Sequence, residues 1–331
     1  MDRTRNNTSI SIPVFIRKGG WFLLLFFVIA ASRSEAAFKE SLWGARPAGL
    51  AGAFTAMADD ANAPAYNPAG VGFLTSTELT VMYAQLFTGL DLHAGQDTSK
   101  LGLGYVSFVP QIDDKRYGSM AVSWSNFTAT NLMREDTFSL TYADTFDLSG
   151  LPQHPILGLG ANLKYLRHSF SIDQYSSSDP TFSNGRSKGA PTLDLGLILR
   201  PKFSFAPGFK MGLVGQNITE PNVGLSATDR VPSRYAVGFA YQDLRFRLFN
   251  PTVDIARRAG LTTVTFGVEG WMLKDSLGFR AGGNSDEIGG GLGYQFKLND
   301  AMKMRIDYSL LWPLNVGGTN GNHRVSLTLN Y

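Results

Sequence analysis

From Glu78 to the final Tyr331 the chain runs in short segments in which alternate residues are apolar, each broken by glycine, asparagine, aspartate or proline. A period of two sends the apolar set to one face of an extended strand, so such segments can fold only as a sheet with unlike faces. Leu79, Val81 and Tyr83 make the first run; Leu101, Leu103, Tyr105 and Met120, Val122, Trp124 follow. The pattern returns at Phe138–Tyr142, Leu157–Tyr165, Leu193–Leu199, Phe209–Leu213 and Tyr235–Tyr241. A weaker candidate crosses Leu244–Ile255, interrupted by Pro251. Five clear runs close the chain: Val264–Val268, Leu277–Ala281, Ile288–Phe296, Met304–Leu310 and Val325–Tyr331. The count is about fourteen, an even number, as single-chain bacterial outer-membrane barrels have. The predicted fold is all-β, a transmembrane antiparallel β-barrel.

Connection lengths test this independently, because such barrels alternate short periplasmic turns with longer outer loops. Phe87–Lys100, Phe127–Glu135, His168–Gly189, Ile218–Pro232 and Pro313–Asn322 read as long; Gln111–Arg116, Lys202–Gly208, Gln242–Asp243 and Lys274–Ser276 read as short. Thr145–His154 breaks the alternation and the outer turns at Gly260 and Asn284 are tight, but most connections obey it, and this phasing puts both termini on the periplasmic side. Inward positions are often Gly, Ser, Thr or Asn, which suggests a lumen with space in it.

Residues 1–36 read as an export leader. Arg3, Arg5, Arg17 and Lys18 form a basic region, Trp21 to Ala31 is apolar, and Ser34-Glu35-Ala36 offers small residues for cleavage near Ala36. The apolar run is too short for a spanning helix, which needs roughly 20 residues. The whole chain carries 30 Lys and Arg against 27 Asp and Glu. Removing the leader's five basic and two acidic residues leaves 25 of each. The pI near 9.0 is thus a targeting feature, and no nucleic-acid partner is expected. There is no cysteine, which removes thiol catalysis and Cys-ligated metal sites.

Little else points to chemistry. His93, His154, His168 and His323 are scattered without ligand spacing, and no GxSxG exists. Gly289-Gly290-Gly291-Leu292-Gly293 lacks a GK[ST] ending and a following helix, so it reads as a packed or kinked barrel strand. No enzyme activity, metal or cofactor is expected.

The remaining stretch, Gly44 to Gly72, is crowded with glycine and alanine and ends in the turn-forming run Tyr66-Asn67-Pro68-Ala69-Gly70. It cannot bury much apolar area alone and needs walls from elsewhere. We read residues 37–76 as a plug that enters from the periplasmic side into a barrel of residues 77–331, with Gly49 and Gly52 packed against the wall. Asp59-Asp60 reads either as a cation or substrate-gating site, or as a turn cap plus a partner for Arg46.

Gly44-Ala45-Arg46, Gly49 to Phe54, Ala58-Asp59-Asp60-Ala61 and Asn67-Pro68-Ala69-Gly70 resemble the N-terminal signature of the long-chain fatty acid transporter (FadL) family of outer-membrane barrels. The likeness is nearest to its shorter PorV/PorQ-like branch. The resemblance implies that Asn67, Pro68, Ala69 and Gly70 belong to a gate, with Asp59, Asp60, Arg46, Gly49 and Gly52 supporting it. It implies a passive outer-membrane channel for hydrophobic or amphipathic small molecules. The alternative it implies is an accessory or cargo shuttle of a type IX secretion system. Implied partners are outer-membrane lipid, a hydrophobic small-molecule substrate, secretion-system components, and the barrel-assembly machinery through Tyr331. The chain lacks room for the family's large helical outer loops, which counts against high-affinity fatty acid capture.

Overall fold

The structure is a computed structural model. It describes Phe38 and residues 41–331, apart from 91–92, 95–96, 99, 112–116, 131, 175 and 184. The leader lies outside the described residues.

The chain after residue 77 forms β1 (Glu78–Leu86), a small hairpin of β2 (His93–Ala94) and β3 (Asp97–Thr98), then β4 (Leu101–Val109), β5 (Ser119–Ala129) and β6 (Met133–Asp147). β7 (Ile156–Phe170), β8 (Ser187–Arg200), β9 (Phe209–Gln216), β10 (Arg234–Tyr241) and β11 (Asn250–Arg258) follow. β12 (Leu261–Met272), β13 (Leu277–Gly283), β14 (Glu287–Lys297), β15 (Lys303–Pro313) and β16 (Asn322–Asn330) complete it. All but β2 and β3 join one closed antiparallel barrel, sealed by β1 pairing with β16 from Glu78↔Asn330 to Gln85↔His323. Closure removes the unpaired strand edges that lipid would not tolerate.

The alternation in the sequence is the alternation of the wall. Val81, Tyr83, Leu140, Leu163, Phe266 and Leu292 point outward and are exposed, whereas Thr80, Asn162, Asp194, Glu269 and Asp307 point inward and are buried. An apolar exterior around a polar interior is the distribution an outer-membrane barrel requires. β4 departs from the expected face. Its Leu103 and Tyr105 point inward and are buried, and the lipid face is carried by Val106 and Phe108. The cause is an inner partner: Tyr105 stacks on Trp43 and its hydroxyl reaches the Ala61 carbonyl.

The tight turns at 259–260 and 284–286 and the longer connection at 148–155 break the alternation, and two further connections differ from their expected lengths. The turn between β5 and β6 spans only 130–132, because both strands extend through the region expected to be a long loop. Conversely, Leu244–Phe249 is a turn, so the connection between β10 and β11 is longer than expected and β11 begins at Asn250. The end bearing 87–100, 171–186, 217–233 and 314–321 is the loop-rich end; β1 starts and β16 stops at the other, here called the terminal end. If the loop-rich end faces outward, a cysteine replacing Ser177, exposed in its loop, will react with a membrane-impermeant maleimide in intact cells. A cysteine replacing Lys274 will react only after the envelope is opened. Equal labelling of both would reverse the orientation.

Candidate functional site

Residues 41–77 thread the barrel. A helical turn at Ala45–Gly49, another at Ala63–Tyr66 and a 3-10 stretch at Pro68–Phe73 are joined by tight turns. Short elements suit a segment whose alanines and glycines supply no apolar face wide enough for a long helix. Nearly every residue from Gly44 to Val71 is buried, many with no exposure at all.

The direction of threading was not expected. Phe38 sits at the loop-rich end, where its N–H donates to Glu135 Oε1 (2.9 Å) and its carbonyl accepts from Arg258. Leu42 lies lower, its carbonyl accepting from Arg324 Nε (3.1 Å). At the far side, Thr77 exchanges backbone hydrogen bonds with Tyr331 (2.9 and 2.8 Å). The segment therefore crosses from one mouth to the other instead of entering and leaving at the terminal end.

Its centre is a ring of charge. Arg46 grips Glu269 with two parallel bonds, Nε to Oε1 and Nη2 to Oε2, both 2.8 Å. Its Nη1 reaches Asp59 (2.7 Å) and Asp60 (2.9 Å). Arg305 joins Asp60 (2.8 Å) to Asp307 (2.7 Å), and Arg280 joins Asp307 (2.8 Å) back to Glu269 (2.7 Å). Arg46, Asp60, Arg305, Asp307, Arg280 and Glu269 thus close a loop of alternating sign. Lys210 extends it to Asp59 at 3.4 Å. The group balances four cations with four carboxylates, and buried charges persist only with such pairing. Burial pushes the Asp60 carboxyl up, but Arg46 and Arg305 outweigh it and hold it well below the usual carboxylate range. For Asp59 burial is likewise outweighed, by Arg46 and Lys210.

Asp60 Oδ1 accepts from the Asn62 backbone N–H (2.9 Å), capping a turn, while its other oxygen meets Arg46 and Arg305. The carboxylates are spoken for by side-chain cations.

Asn67 ties the segment to the wall. Its Nδ2 donates to the carbonyls of Thr55 (2.9 Å), Leu197 (3.1 Å) and Leu213 (3.3 Å), and its Oδ1 accepts from Ala69 N–H. Pro68 lies against Gly196 and Ala69 against Gly160; Gly70 abuts Ala58, where a Cβ would come within 2.1 Å of a carbonyl oxygen. Gly49 faces Arg280 and Gly291 on the wall. Gly52 does not: its neighbour is Leu42, and its φ of +88° is what requires glycine.

Sequence reasoning missed the wall's share. Glu269, Arg280, Arg305, Asp307 and Lys210 are inward positions of strands whose other face is apolar, and that parity was the available signal. Asp254 was missed too; one of its oxygens accepts from the N–H groups of Phe54 (3.0 Å) and Thr55 (2.9 Å). The inward glycines also have a meaning other than empty space. A Cβ on Gly160, Gly212 or Gly282 would strike backbone atoms of Ala69, Thr55 or Leu50 within 2.5 Å. They form a bed for the segment.

Space remains on both sides of this close-packed middle. Toward the loop-rich end, cavities of about 650 and 120 Å³ flank the Phe38 and Leu42–Trp43 region. Toward the terminal end, one of about 150 Å³ touches Arg46, Asp60 and Trp271.

A model of the family described as type IX secretion system membrane protein PorP/SprF matches residues 60–331. No curated protein matches the chain. Among solved structures, a Pseudomonas aeruginosa FadL homologue superposes with a TM-score of 0.52 at 14% identity, covering 87% of this chain and 97% of its own. The CymD monoaromatic hydrocarbon channel gives 0.55 at 11% identity, covering 87% and 96%. At these identities the likeness is one of fold, a FadL-like barrel.

Proposed function

This chain belongs to the type IX secretion system membrane protein PorP/SprF family, and from that premise we propose that it serves that machinery as an outer-membrane component with a closed lumen. In this reading residues 1–36 are the export leader, residues 37–76 the plug, and residues 77–331 the barrel around it. The observation that carries closure is the neutral ring of charge, which fastens the segment to β12, β15 and β9 at once. Arg46, Asp59 and Asp60 are its contribution from the segment. Asn67, Pro68 and Ala69 form a second latch on β7, β8 and β9, Gly70 lets that turn close on Ala58, and Gly49 lets the segment lie close to β14. A barrel plugged this firmly offers the machinery a rigid platform in lipid. The exposed Tyr331, whose backbone continues the last strand to Thr77, fits a terminal signal for barrel assembly.

The test has two parts. In planar bilayers the purified protein should be silent, and a form lacking residues 45–72 should conduct. In cells, a null strain should lose surface delivery of type IX cargo and regain it with the intact gene. Normal cargo delivery in the null strain would remove the secretion role.

One observation favours passage of hydrophobic small molecules as a second reading. The cavity of about 650 Å³ includes Leu42, Phe87, Leu261 and Val316 in its lining, and a neighbour in fold is titled a hydrocarbon channel. Under that reading the null strain secretes normally but takes up hydrophobic substrate more slowly.

A further inference from the structure

The segment is held in two unlike ways. Its middle is clamped by charge and bedded on glycine, whereas its first described part lies in the roomier loop-rich half of the lumen. There the wall grips one residue at three points. Glu135 accepts the Phe38 N–H, Arg258 donates to the Phe38 carbonyl, and the ring enters a cluster of Leu166, Val223, Val231 and Ala190. His168 meets the same ring edge-on at 6.2 Å. Farther along, Arg324 donates to the Leu42 carbonyl, and Trp43 stacks on Tyr105.

Two of these groups read backbone atoms of one residue, and the apolar cluster reads its side chain. Phe38 has a φ of +53°, so such an arrangement selects a chain that turns at an aromatic residue and asks little of the neighbouring side chains. The flanking cavities leave room for bulkier residues than Ser41 and Leu42. The close-packed middle leaves none.

We propose that this half of the lumen is a binding groove for a polypeptide turn with an aromatic anchor, and that the chain's own Phe38, with Ser41–Trp43 beyond it, is its resident occupant. A second polypeptide entering from the loop-rich end would compete for Glu135, Arg258 and the Val223–Val231 cluster. The charge ring below would stay intact, so capture would not require the barrel to open. The proposal does not depend on whether the barrel serves secretion or uptake.

The probe is a fluorescein-labelled peptide of residues 37–43, Ala-Phe-Lys-Glu-Ser-Leu-Trp, followed by anisotropy with the purified full-length barrel in detergent. Phe38→Asp puts a carboxylate into the apolar cluster beside Glu135 and expels the resident turn without touching the groove. Phe38→Asp protein should bind the peptide at least tenfold more tightly than the wild type, whose groove is occupied. Adding Arg258→Met should reverse that gain by tenfold or more, as should a probe carrying Asp in place of its Phe. Unboiled-gel mobility reports that each barrel is folded, and Val231→Asp substitutes for Arg258→Met if the latter fails to assemble. No gain with Phe38→Asp overturns the proposal. So does equal binding of the Asp-bearing probe, which would mark adsorption to detergent.

Discussion

Replacing Glu269 with alanine will loosen the inner segment by about 3–5 kcal/mol while the barrel stays closed, because it strips a partner from two buried guanidinium groups at once. Arg46 loses its paired grip on β12, and Arg280 keeps only Asp307. The ring is cut at the point where segment and wall meet. The strand ladder is untouched, since Glu269 contributes to it only through its backbone opposite Asn250 and Arg280. The expected readout is intermittent single-channel conductance where the wild type is silent, with unchanged mobility of the folded form on unboiled gels. Glu269→Gln keeps the shape and should give a smaller effect. Arg46→Ala combined with Glu269→Ala should cost less than the two single changes together, as residues sharing one network do. Additive effects would mean the pair does not work as a unit. Acid should not mimic the mutation. Asp59 and Asp60 have folded values below their unfolded ones, so their stabilisation is complete above roughly pH 4 and fades only as pH falls through the depressed range. The wild type should therefore stay silent between about pH 8 and pH 5.

The sequence carried the wall well because lipid imposes a local rule: Ile306 and Tyr308, or Val81 and Tyr83, must share a face whatever happens elsewhere. It failed where a distant partner overrode that rule. Leu103 and Tyr105 are as apolar as their neighbours, yet they face inward because Trp43 and Ala61 are there to meet them. Within the segment, Arg46, Asp59 and Asp60 were legible as charges needing partners. Their partners were not, since Arg46 and Glu269 are 223 residues apart and come together only when the barrel closes. Strand periodicity gives the parity of a side chain but not its position around the circumference. The direction of threading had no local signal either, because nothing in Phe38 to Gly44 distinguishes one mouth from the other until Glu135 and Arg258 are placed.

The inward glycines make the same point in a form that can be tested. An inward glycine in a barrel strand leaves either free space or a close approach, and sequence does not tell the two apart. At Gly160 an added Cβ would stand 2.4 Å from Ala69 N, and at Gly282 it would stand 2.3 Å from the Leu50 carbonyl carbon. Both obstacles are backbone, which cannot swing aside as a side chain can. At Gly104, on the lipid face of β4, a Cβ would meet nothing within 4 Å. Gly160→Val and Gly282→Val should each cost about 1–3 kcal/mol of segment packing, and the double variant should displace the segment in most molecules. Valine favours the extended strand, so the wall should assemble as well as before or better. Gly104→Val is the matched control and should leave the lumen silent. The double variant should conduct, and its residues 45–72 should become sensitive to added protease, with the barrel still migrating as a folded species. A silent, protease-resistant double variant would mean that the segment does not rest on these glycines, and the glycine bed would be lost as the explanation for how the lumen is filled.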